Sequence, residues 1–496
     1  MRFFLILGLI FSVGHIKMLY NSLDPSSLHE HLAFWELYPD TTEGEKALGV
    51  VKQLLQAENI DHDSFKGNFQ SVLQGMVTLV NKPGEDATPI LDYKTLDFVQ
   101  NAAKNLSNRR LKGYWAVTEE EVIKLPPEEI DLARGLFLSE LGAENFDKIR
   151  SYEAMLDLMA LQIQARLTPG ASDREKVELL NRYIFEELGF RFPPHSTYSE
   201  DIDLYTFLPS VMDSRRGVCL GVSILYITLA QRIDLELEMV TPPGHIYVRS
   251  GDINIETTAR GVDMDDEVYL GVDTRSLQVR DVKEVIGLAH FNQAAVFWRK
   301  KDPKKAIEIY SRGRPYLKED PLLLELIGYN YILDGDETTG RDYLERVKDH
   351  VPDFSVSENT VPRDYLEGKA DKEALAAIYK EVDEKRSSLL EKRDELIKTC
   401  QRCPEFKAGW FALGTTYLQL HRMKEALGAL RELHRIYPDD PNAEYYLAVL
   451  SAERDEFSEA WKHLKQAEKL TKARFHHPKA LVELRRQLSI VFPEPL

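Results

Sequence analysis

The apolar positions of the chain fall into three successive patterns. From Leu23 to about Thr168 they recur at helical spacing, as in Ile149 to Arg166, which predicts a helical N-terminal region. An unbroken apolar run from Leu220 to Gln231 then predicts a buried helix, and two short alternating segments follow it. From about His290 onward the helical spacing returns with a repeat of 34 residues. Together these patterns predict an α+β fold.

The two alternating segments predict a β-hairpin. They run from His245 to Arg249 and from Asp252 to Glu256, with Ser250-Gly251 between them as a two-residue loop. Counting outward from that loop places His245 directly opposite Glu256. Opposed residues on one face of a sheet have Cβ atoms roughly 5 Å apart, so these side chains are expected to reach each other.

Cys219 stands immediately before the long apolar run. It is therefore expected in or just before the first turn of the buried helix, where free N–H groups and the helix dipole favour a thiolate. Arg215 and Arg216 precede it and add positive charge if they point toward it. With His245 and Glu256, this cysteine makes a candidate set of nucleophile, base and orienting carboxylate.

The order of a cysteine at a helix start, then a histidine, then an acid on adjacent strands resembles the transglutaminase-like superfamily. The segments FLPSVMDSRRGVCLGVSILYITLAQR and PPGHIYVR resemble its bacterial Sir-B-type branch, which carries helical repeats behind the core. The acid of the superfamily is usually Asp, and Glu256 stands at that position here. The resemblance implies a papain-like core with Cys219, His245 and Glu256 as its catalytic residues.

The C-terminal part of the chain carries the spacing of tetratricopeptide repeats. The pattern W-x2-L-G-x2-Y and the small residue and proline that follow it are Trp410, Leu413, Gly414, Tyr417, Ala426 and Pro438. The next repeat in register contributes Leu447, Ala448, Ala460 and Ala467. An earlier pair of repeats aligns Ala294 with Gly328, Ala306 with Gly340 and Tyr310 with Leu344, and Pro404 precedes Pro438 by the same interval. Four repeats in two blocks are predicted, forming a solenoid.

These patterns divide the chain into six predicted segments. They are an apolar segment, a helical region, the transglutaminase-like core, a first repeat block, a charged connector and a second repeat block, at residues 1–20, 21–168, 169–286, 287–353, 354–403 and 404–496. The core is expected to open with a helix from Ser172 to Leu188 and to contain a late strand around Val268 to Val272. The most charged part of the connector, Asp371 to Lys398, is expected to face solvent or to form an irregular fifth unit.

Composition narrows the range of partners. The chain has 81 acidic and 63 basic residues among 496, a formal net charge of −18, which argues against nucleic acid as a partner. Hydrophobic residues make up 43%, enough for several cores, and three cysteines exclude a disulfide framework. The sequence leaves the oligomeric state open.

The N-terminal segment is apolar from Phe3 to Val13 and is preceded by Arg2. Its length suits the apolar part of a signal peptide better than a membrane span of about 20 residues. Ser12-Val13-Gly14 offers small residues for cleavage. The alternative is the first apolar helix of a cytoplasmic protein. We favour export or membrane association, with any membrane contact confined to this segment.

Other groups of chemically active residues are better explained as structure. His29 and His31 are expected at the surface, and His195 at the rim of the core. Cys400 and Cys403 form a lone C-x-x-C without a second pair, which suits a helix end rather than a zinc or redox site. An acidic stretch lacks the spacing of a calcium loop and is expected to be solvated: Asp263, Asp265, Asp266 and Glu267. No metal or cofactor is predicted.

Two functions fit these observations. The first is a thiol enzyme that acts on a carboxamide or peptide carbonyl, by hydrolysis or acyl transfer, while the repeats recruit a protein substrate or partner. The second is a non-catalytic adaptor, in which the repeats bind a protein or peptide in their groove and the core is degenerate. The reactivity of Cys219 distinguishes them.

Overall fold

The computed structural model describes residues 13–55, 69–82, 84, 86–193, 205–380, 382 and 385–494. Most of the predicted apolar N-terminal segment, at residues 1–12, and His195 lie outside the described residues. The architecture is α+β, as the sequence predicts, with many helices and one small antiparallel sheet. Within the described part of the chain, the longest and most apolar helices still fall short of what a membrane span requires.

The chain divides into two compact units. The first comprises Met1–Arg191, Phe207–Gly217 and Ile224–Leu237, and the second comprises Phe192–Thr206, Val218–Ser223 and Glu238–Leu496. The predicted segment boundaries stay predictions, because this division follows packing along the whole chain and not the change in sequence pattern.

The first unit is built of helices. Those described before the cysteine helix are α1 to α10: Val13–Asn21, Leu28–Leu37, Thr42–Leu54, Phe69–Val80, Tyr93–Ala102, Glu119–Lys124, Leu132–Leu141, Phe146–Arg166, Asp173–Asn181 and Leu208–Ser214. Helix α9 begins with a capping box, in which Ser172 and Glu175 satisfy each other's backbone N–H groups. A stretch of π-helix, Arg182–Glu187, continues it over the predicted range.

Helix α8 forms the centre of this unit and buries charged as well as apolar side chains. The guanidinium of Arg134 donates two hydrogen bonds to Glu153, at 2.5 and 2.7 Å. Asp157 accepts from Arg232 at 3.0 Å and also pairs with Arg109. Because buried charges are tolerated when they are paired in this way, these contacts explain how a central helix can carry two acids.

The cysteine helix, α11, spans Cys219–Arg232 and is almost completely buried. Its first residues, through Ser223, belong to the second unit, and the rest belongs to the first. The hydroxyl groups of Ser223 and Thr257 lie 3.1 Å apart and are both buried. This contact ties the second turn of the helix to the residue that directly follows Glu256.

The sheet of the second unit has five antiparallel strands in the order β4-β3-β2-β1-β5. Strands β1 to β5 are Glu238–Thr241, Tyr247–Ser250, Ile253–Glu256, Val262–Asp263 and Gln278–Arg280. The central strands β2 and β3 are mostly buried, whereas β4 and β5 are short edges.

The predicted hairpin is present, but its register differs by one loop position. Ser250 pairs with Ile253, so the two-residue loop is Gly251-Asp252 and not Ser250-Gly251. Gly251 has φ 57°. A tight hairpin turn of the II′ type needs glycine at the first loop position, and only the observed register provides it.

The prediction of a strand around Val268 to Val272 is wrong. The chain forms a 3₁₀ turn at Asp266–Val268 instead, started by Asp265, whose side chain accepts from the N–H of Glu267. Further on, the ring of His476 lies 2.8 Å from the carbonyl oxygen of Gly271. Val272 packs with Trp461 in an apolar cluster of the last repeat. Contacts with the last repeat therefore engage the carbonyl group of Gly271 and the side chain of Val272, which a strand would have placed in a sheet.

The repeats form antiparallel helix pairs. Helices α12 to α23 are Val282–Arg299, Pro303–Leu317, Pro321–Asp334, Glu337–Val347, Val361–Leu366, Lys372–Ile378, Arg386–Arg402, Lys407–Gln419, Met423–Ile436, Pro441–Ala452, Phe457–Ala473 and Lys479–Val491. The predicted small residues lie where helices approach closely. A Cβ at Gly414 would come within 2.9 Å of Leu430, and one at Gly328 within 2.9 Å of Leu344.

The charged connector packs against the repeats and does not simply face solvent. Its helix α17 buries Ala374 and Leu375 in the apolar cluster of the first repeat block. Helix α18 buries Leu396 beside Leu413. Of the two predicted alternatives, the irregular fifth unit describes this segment better.

Candidate active site

The structure brings the side chains of Cys219, His245 and Glu256 together within the second unit. The imidazole of His245 lies beside the side chain of Cys219, which is the largest cause of its raised pKa. Its Nε2 atom lies 2.5 Å from Oε2 of Glu256. All three predicted residues are therefore linked through the histidine.

Cys219 is the first residue of helix α11, at the predicted position. The first N–H groups of any helix have no acceptor within the helix, so they point toward whatever lies beyond its N-terminus. Such groups, with the helix dipole, stabilise an anion such as a thiolate or an oxyanion. Cys219 is partly exposed, whereas Cys400 and Cys403 are buried.

His245 lies just before strand β2 and not inside it. Its N–H donates to the carbonyl oxygen of Pro242 at 3.1 Å, across a turn that Gly244 makes possible with φ 72°. Counting outward from the observed register places Tyr247, and not His245, opposite Glu256. His245 is thus a diagonal neighbour on the same face, a distance that long side chains span. The predicted contact exists, but direct opposition was the wrong reason for it.

The contacts of His245 favour its charged form. Hydrogen bonds to Cys219 and then to Glu256 raise the pKa of His245 to about 9, although burial opposes the shift. Burial acts to raise the pKa of Glu256, but hydrogen bonds from His245, Thr258 and Tyr269 outweigh it and lower that pKa to about 2. The carboxylate is therefore ionised at any working pH and stabilises an imidazolium beside the thiol.

Tyr269 belongs to the site and is not identified by the sequence pattern. Its hydroxyl donates to Oε2 of Glu256 at 2.6 Å, and its ring stacks on that of His245 with centroids 5.5 Å apart. Burial and the hydrogen bond to Glu256 raise the pKa of Tyr269, so the phenol keeps its proton and donates. No spacing rule points to it, because it reaches the site from an irregular loop.

The acidic loop before Tyr269 stays exposed at Asp263, Asp265 and Glu267, and the side chain of its central residue, Asp266, is 42% exposed but also held by hydrogen bonds. One carboxylate oxygen of Asp266 accepts from Tyr247, Arg249 and Asn254 at 2.7, 2.6 and 2.8 Å. These three donors all come from the hairpin. The loop is therefore fixed to the strands that flank the site, which in turn places Tyr269.

The structure also bears on the predictions for His31 and for the pair Cys400 and Cys403. His31 is buried and not at the surface. Burial lowers the pKa of His31, so it stays neutral. Cys400 lies in helix α18 and Cys403 caps its end, which agrees with the helix-end interpretation. Burial raises the pKa of Cys400 to about 12.

Comparison with known proteins supports the resemblance in the central part of the chain. Residues 150–294 match a family model described as the transglutaminase-like superfamily, a range that contains all three candidate residues. None of the curated proteins compared matches the chain significantly.

Among solved structures, the chain matches MamA proteins over a little more than a third of its length. MamA from Desulfovibrio magneticus RS-1 is 14% identical, and the match covers 38% of this chain and 96% of that chain with a TM-score of 0.19. A second crystal structure of MamA is 16% identical, with coverage of 36% and 94% and a TM-score of 0.21. At these values the similarity has no bearing on what this chain binds.

Proposed function

We propose that this protein is a transglutaminase-like thiol enzyme that acts on a carboxamide or peptide carbonyl, by hydrolysis or acyl transfer. The observation that carries the proposal is the position of His245, which contacts the side chain of Cys219 on one side and the carboxylate of Glu256 on the other. A buried structural cysteine would need neither contact. The match of residues 150–294 to the superfamily model supports the same assignment.

In the first half of the reaction the thiolate of Cys219 attacks the carbonyl carbon, and a C–S bond forms. The carbonyl oxygen becomes an oxyanion, for which the N–H groups at the start of helix α11 are the natural donors. The imidazolium of His245 then protonates the leaving nitrogen, the C–N bond breaks, and an amine or ammonia departs. The product on the enzyme is a thioester.

In the second half a water molecule or an amine attacks the thioester. His245, now neutral, takes a proton from this nucleophile, and the C–S bond breaks to return the thiolate. Glu256 stays ionised throughout and holds the imidazole in one orientation, as an orienting acid does in other triads. Tyr269 acts as a positioning residue, because it touches Glu256 and stacks on the imidazole.

The finer assignment to the Sir-B-type branch rests on the quoted motifs and on the helical repeats that follow the core. We infer that these repeats recruit a protein substrate or partner. Partly exposed aromatic rings on the first helices of successive repeats support this role, since Phe411 and Tyr446 lie 6.2 Å apart across helices α19 and α21. Rigid aromatic side chains are common anchors in protein interfaces.

The test uses glutamine-containing peptides and casein-like proteins, with and without a primary amine. Ammonia release without amine indicates hydrolysis, and incorporation of the amine indicates transfer. Mass spectrometry of acid-quenched samples is expected to find the acyl group on the peptide that contains Cys219, cleaved by hydroxylamine as a thioester. Cys219→Ala abolishes both signals, whereas the exposed-site control Asp252→Asn keeps them.

The adaptor alternative has its own outcome in the same experiment. It is favoured if no carboxamide substrate gives ammonia or a thioester while the chain still retains a protein partner. It also requires that Cys219→Ala binds that partner as tightly as the unaltered chain. Ammonia release that Cys219→Ala leaves unchanged contradicts the proposed role of the thiol.

A further inference from the structure

The last two repeats contain a group of metal-ligating side chains on three consecutive helices. His434 lies in the last turn of α20, Glu444 in the first turn of α21, and His463 in α22. One ligand atom from each of them falls within 4.8 Å of the others. Among the described residues, one group of at least three histidine, cysteine or acidic side chains has this geometry, and it is this one.

The carboxylate of Glu444 sits between the two imidazoles. Its Oε2 atom lies 2.8 Å from Nδ1 of His463, and its Oε1 atom lies 2.6 Å from Nδ1 of His434. The glutamate is only 1% exposed, and His463 is also buried. The rings of the two histidines are nearly perpendicular, and each presents its Nδ1 atom to the same carboxylate.

Two of these atoms lack hydrogen bonds within the part of the chain that the structure describes. They are Oε1 of Glu444 and Nδ1 of His434, whose close approach does not have hydrogen-bond geometry. A buried carboxylate oxygen without a donor is costly, and such groups call for an explanation. A cation between the two atoms would satisfy both of them at once.

From this geometry we propose that His434, Glu444 and His463 bind a zinc ion, or a divalent transition-metal ion of the same class, that links the last two repeats. Two imidazole nitrogens and one carboxylate oxygen suit Zn²⁺, whereas Ca²⁺ and Mg²⁺ prefer all-oxygen sites and Cu⁺ prefers sulfur. Zinc bonds of about 2.1 Å in a tetrahedral site separate ligand atoms by about 3.4 Å. The distances from Glu444 to His434 and His463, 2.6 and 2.8 Å, therefore need to lengthen by less than about 1 Å to admit the ion.

The surroundings supply the remaining features of such a site. The side chain of His434 is 36% exposed, which gives an ion an entry path and leaves a position for water. The Oε2 atom of Glu459 lies 4.0 Å from Nε2 of His463, on the far side of that ring from Nδ1. A carboxylate that accepts a hydrogen bond from this nitrogen once a metal is bound would orient the imidazole and increase its basicity.

The consequence is a cross-link within the repeat solenoid. Repeats contact only their neighbours, so the interface between two repeats sets how far stability extends along the array. An ion held by α20, α21 and α22 would strengthen the last such interface. The bound ion stabilises the folded repeats by an amount that rises with the logarithm of the free metal concentration, because the unfolded chain lacks the site.

The test measures metal bound to the full-length chain after dialysis against zinc and then against metal-free buffer. We expect one equivalent of Zn²⁺ that Glu444→Gln and His463→Ala lose. A change at a group that merely orients a ligand already costs about 10- to 100-fold in affinity, so loss of a ligand costs at least that much. His477→Ala, at an exposed histidine of the same repeat region, keeps the equivalent.

Zinc held by Cys219 and His245 is excluded by repeating the measurement with Cys219→Ala, which must retain the equivalent. Cobalt substituted for zinc is expected to show tetrahedral d–d absorption without a sulfur-to-metal charge-transfer band. Zinc is also expected to raise the unfolding temperature of the unaltered chain but not that of Glu444→Gln. Equal metal content in Glu444→Gln and His477→Ala, or no retained metal at all, would leave only an ion pair and overturn the proposal.

Discussion

Replacing Glu256 with glutamine tests how far the carboxylate controls the charge of His245. The pKa of His245 rises from 6.5 to about 9 in the folded protein, which corresponds to about 3 kcal/mol. Cys219 is the largest cause and Glu256 the second. A hydrogen bond to a charged group contributes about 1.5–3 kcal/mol, and the lower end of that range corresponds to about one pH unit in the titration of His245. Since the side chains of His245 and Glu256 are 27% and 4% exposed, solvent screens this interaction only in part.

The assay is an NMR titration of the His245 ring in protein with ¹⁵N-labelled histidine. The Glu256→Gln variant is expected to titrate about one unit lower than the unaltered protein, near pH 8. Asp252→Asn removes one negative charge, as Glu256→Gln does, but from the exposed turn of the hairpin. It should leave the pKa of His245 unchanged. A Gln variant with an unchanged midpoint, or a control with an equal shift, would refute the assigned role of Glu256.

The same coupling makes stability depend on pH with a definite sign. Because the pKa of His245 is higher in the folded state, its contribution is fully present below about pH 6.5 and is lost as the pH rises through about 9. Glu256→Gln weakens that contribution, so the variant should lose less thermal stability than the unaltered protein between pH 6.5 and 9.5. A variant that loses as much or more contradicts the coupling.

Two further substitutions test positions that the structure singles out. Tyr269→Phe removes the hydroxyl that donates to Glu256 and should lower kcat/KM by about 10-fold or more, because a hydrogen bond to a charged group contributes about 1.5–3 kcal/mol; unchanged kcat/KM would exclude a positioning role. Gly414→Ala places a Cβ 2.9 Å from Leu430 and should lower stability in chemical denaturation by about 1–3 kcal/mol. Gly428→Ala, with no atom within 4 Å of its Cβ, should be neutral or stabilising, and equal effects of the two changes would contradict the packing argument.

Much of the candidate site follows from local sequence, because its parts are set by short-range rules. The apolar run that begins at Leu220 places Cys219 at a helix start, and alternation places His245 just before one strand of the hairpin and Glu256 at the end of the other. Alternation alone allows a register one position away from the observed one, and the preference of the turn for Gly251 at its first position decides between them. The contact survives this difference in register, since a diagonal pair on the same face is still within reach.

The functional residues that the sequence pattern does not predict are those that tertiary packing brings next to one another. Tyr269 reaches Glu256 from a loop that Asp266 fixes to the hairpin, and no periodicity predicts such a loop. Likewise, His434, Glu444 and His463 are 10 and 19 residues apart along the chain and meet only because three helices pack side by side. Repeat spacing predicted those helices but not which polar residues would face one another.

The most direct test of the account is the alkylation rate of Cys219 by iodoacetamide at pH 7, followed by peptide mapping. Cys400 and Cys403 are buried, and burial raises the pKa of both, so Cys219 is the thiol expected to react. An unactivated cysteine is only a few per cent thiolate at this pH, so pairing with an imidazolium should speed the reaction by about 10-fold or more. The account predicts that His245→Ala loses this acceleration, whereas equal rates in the two proteins would contradict it.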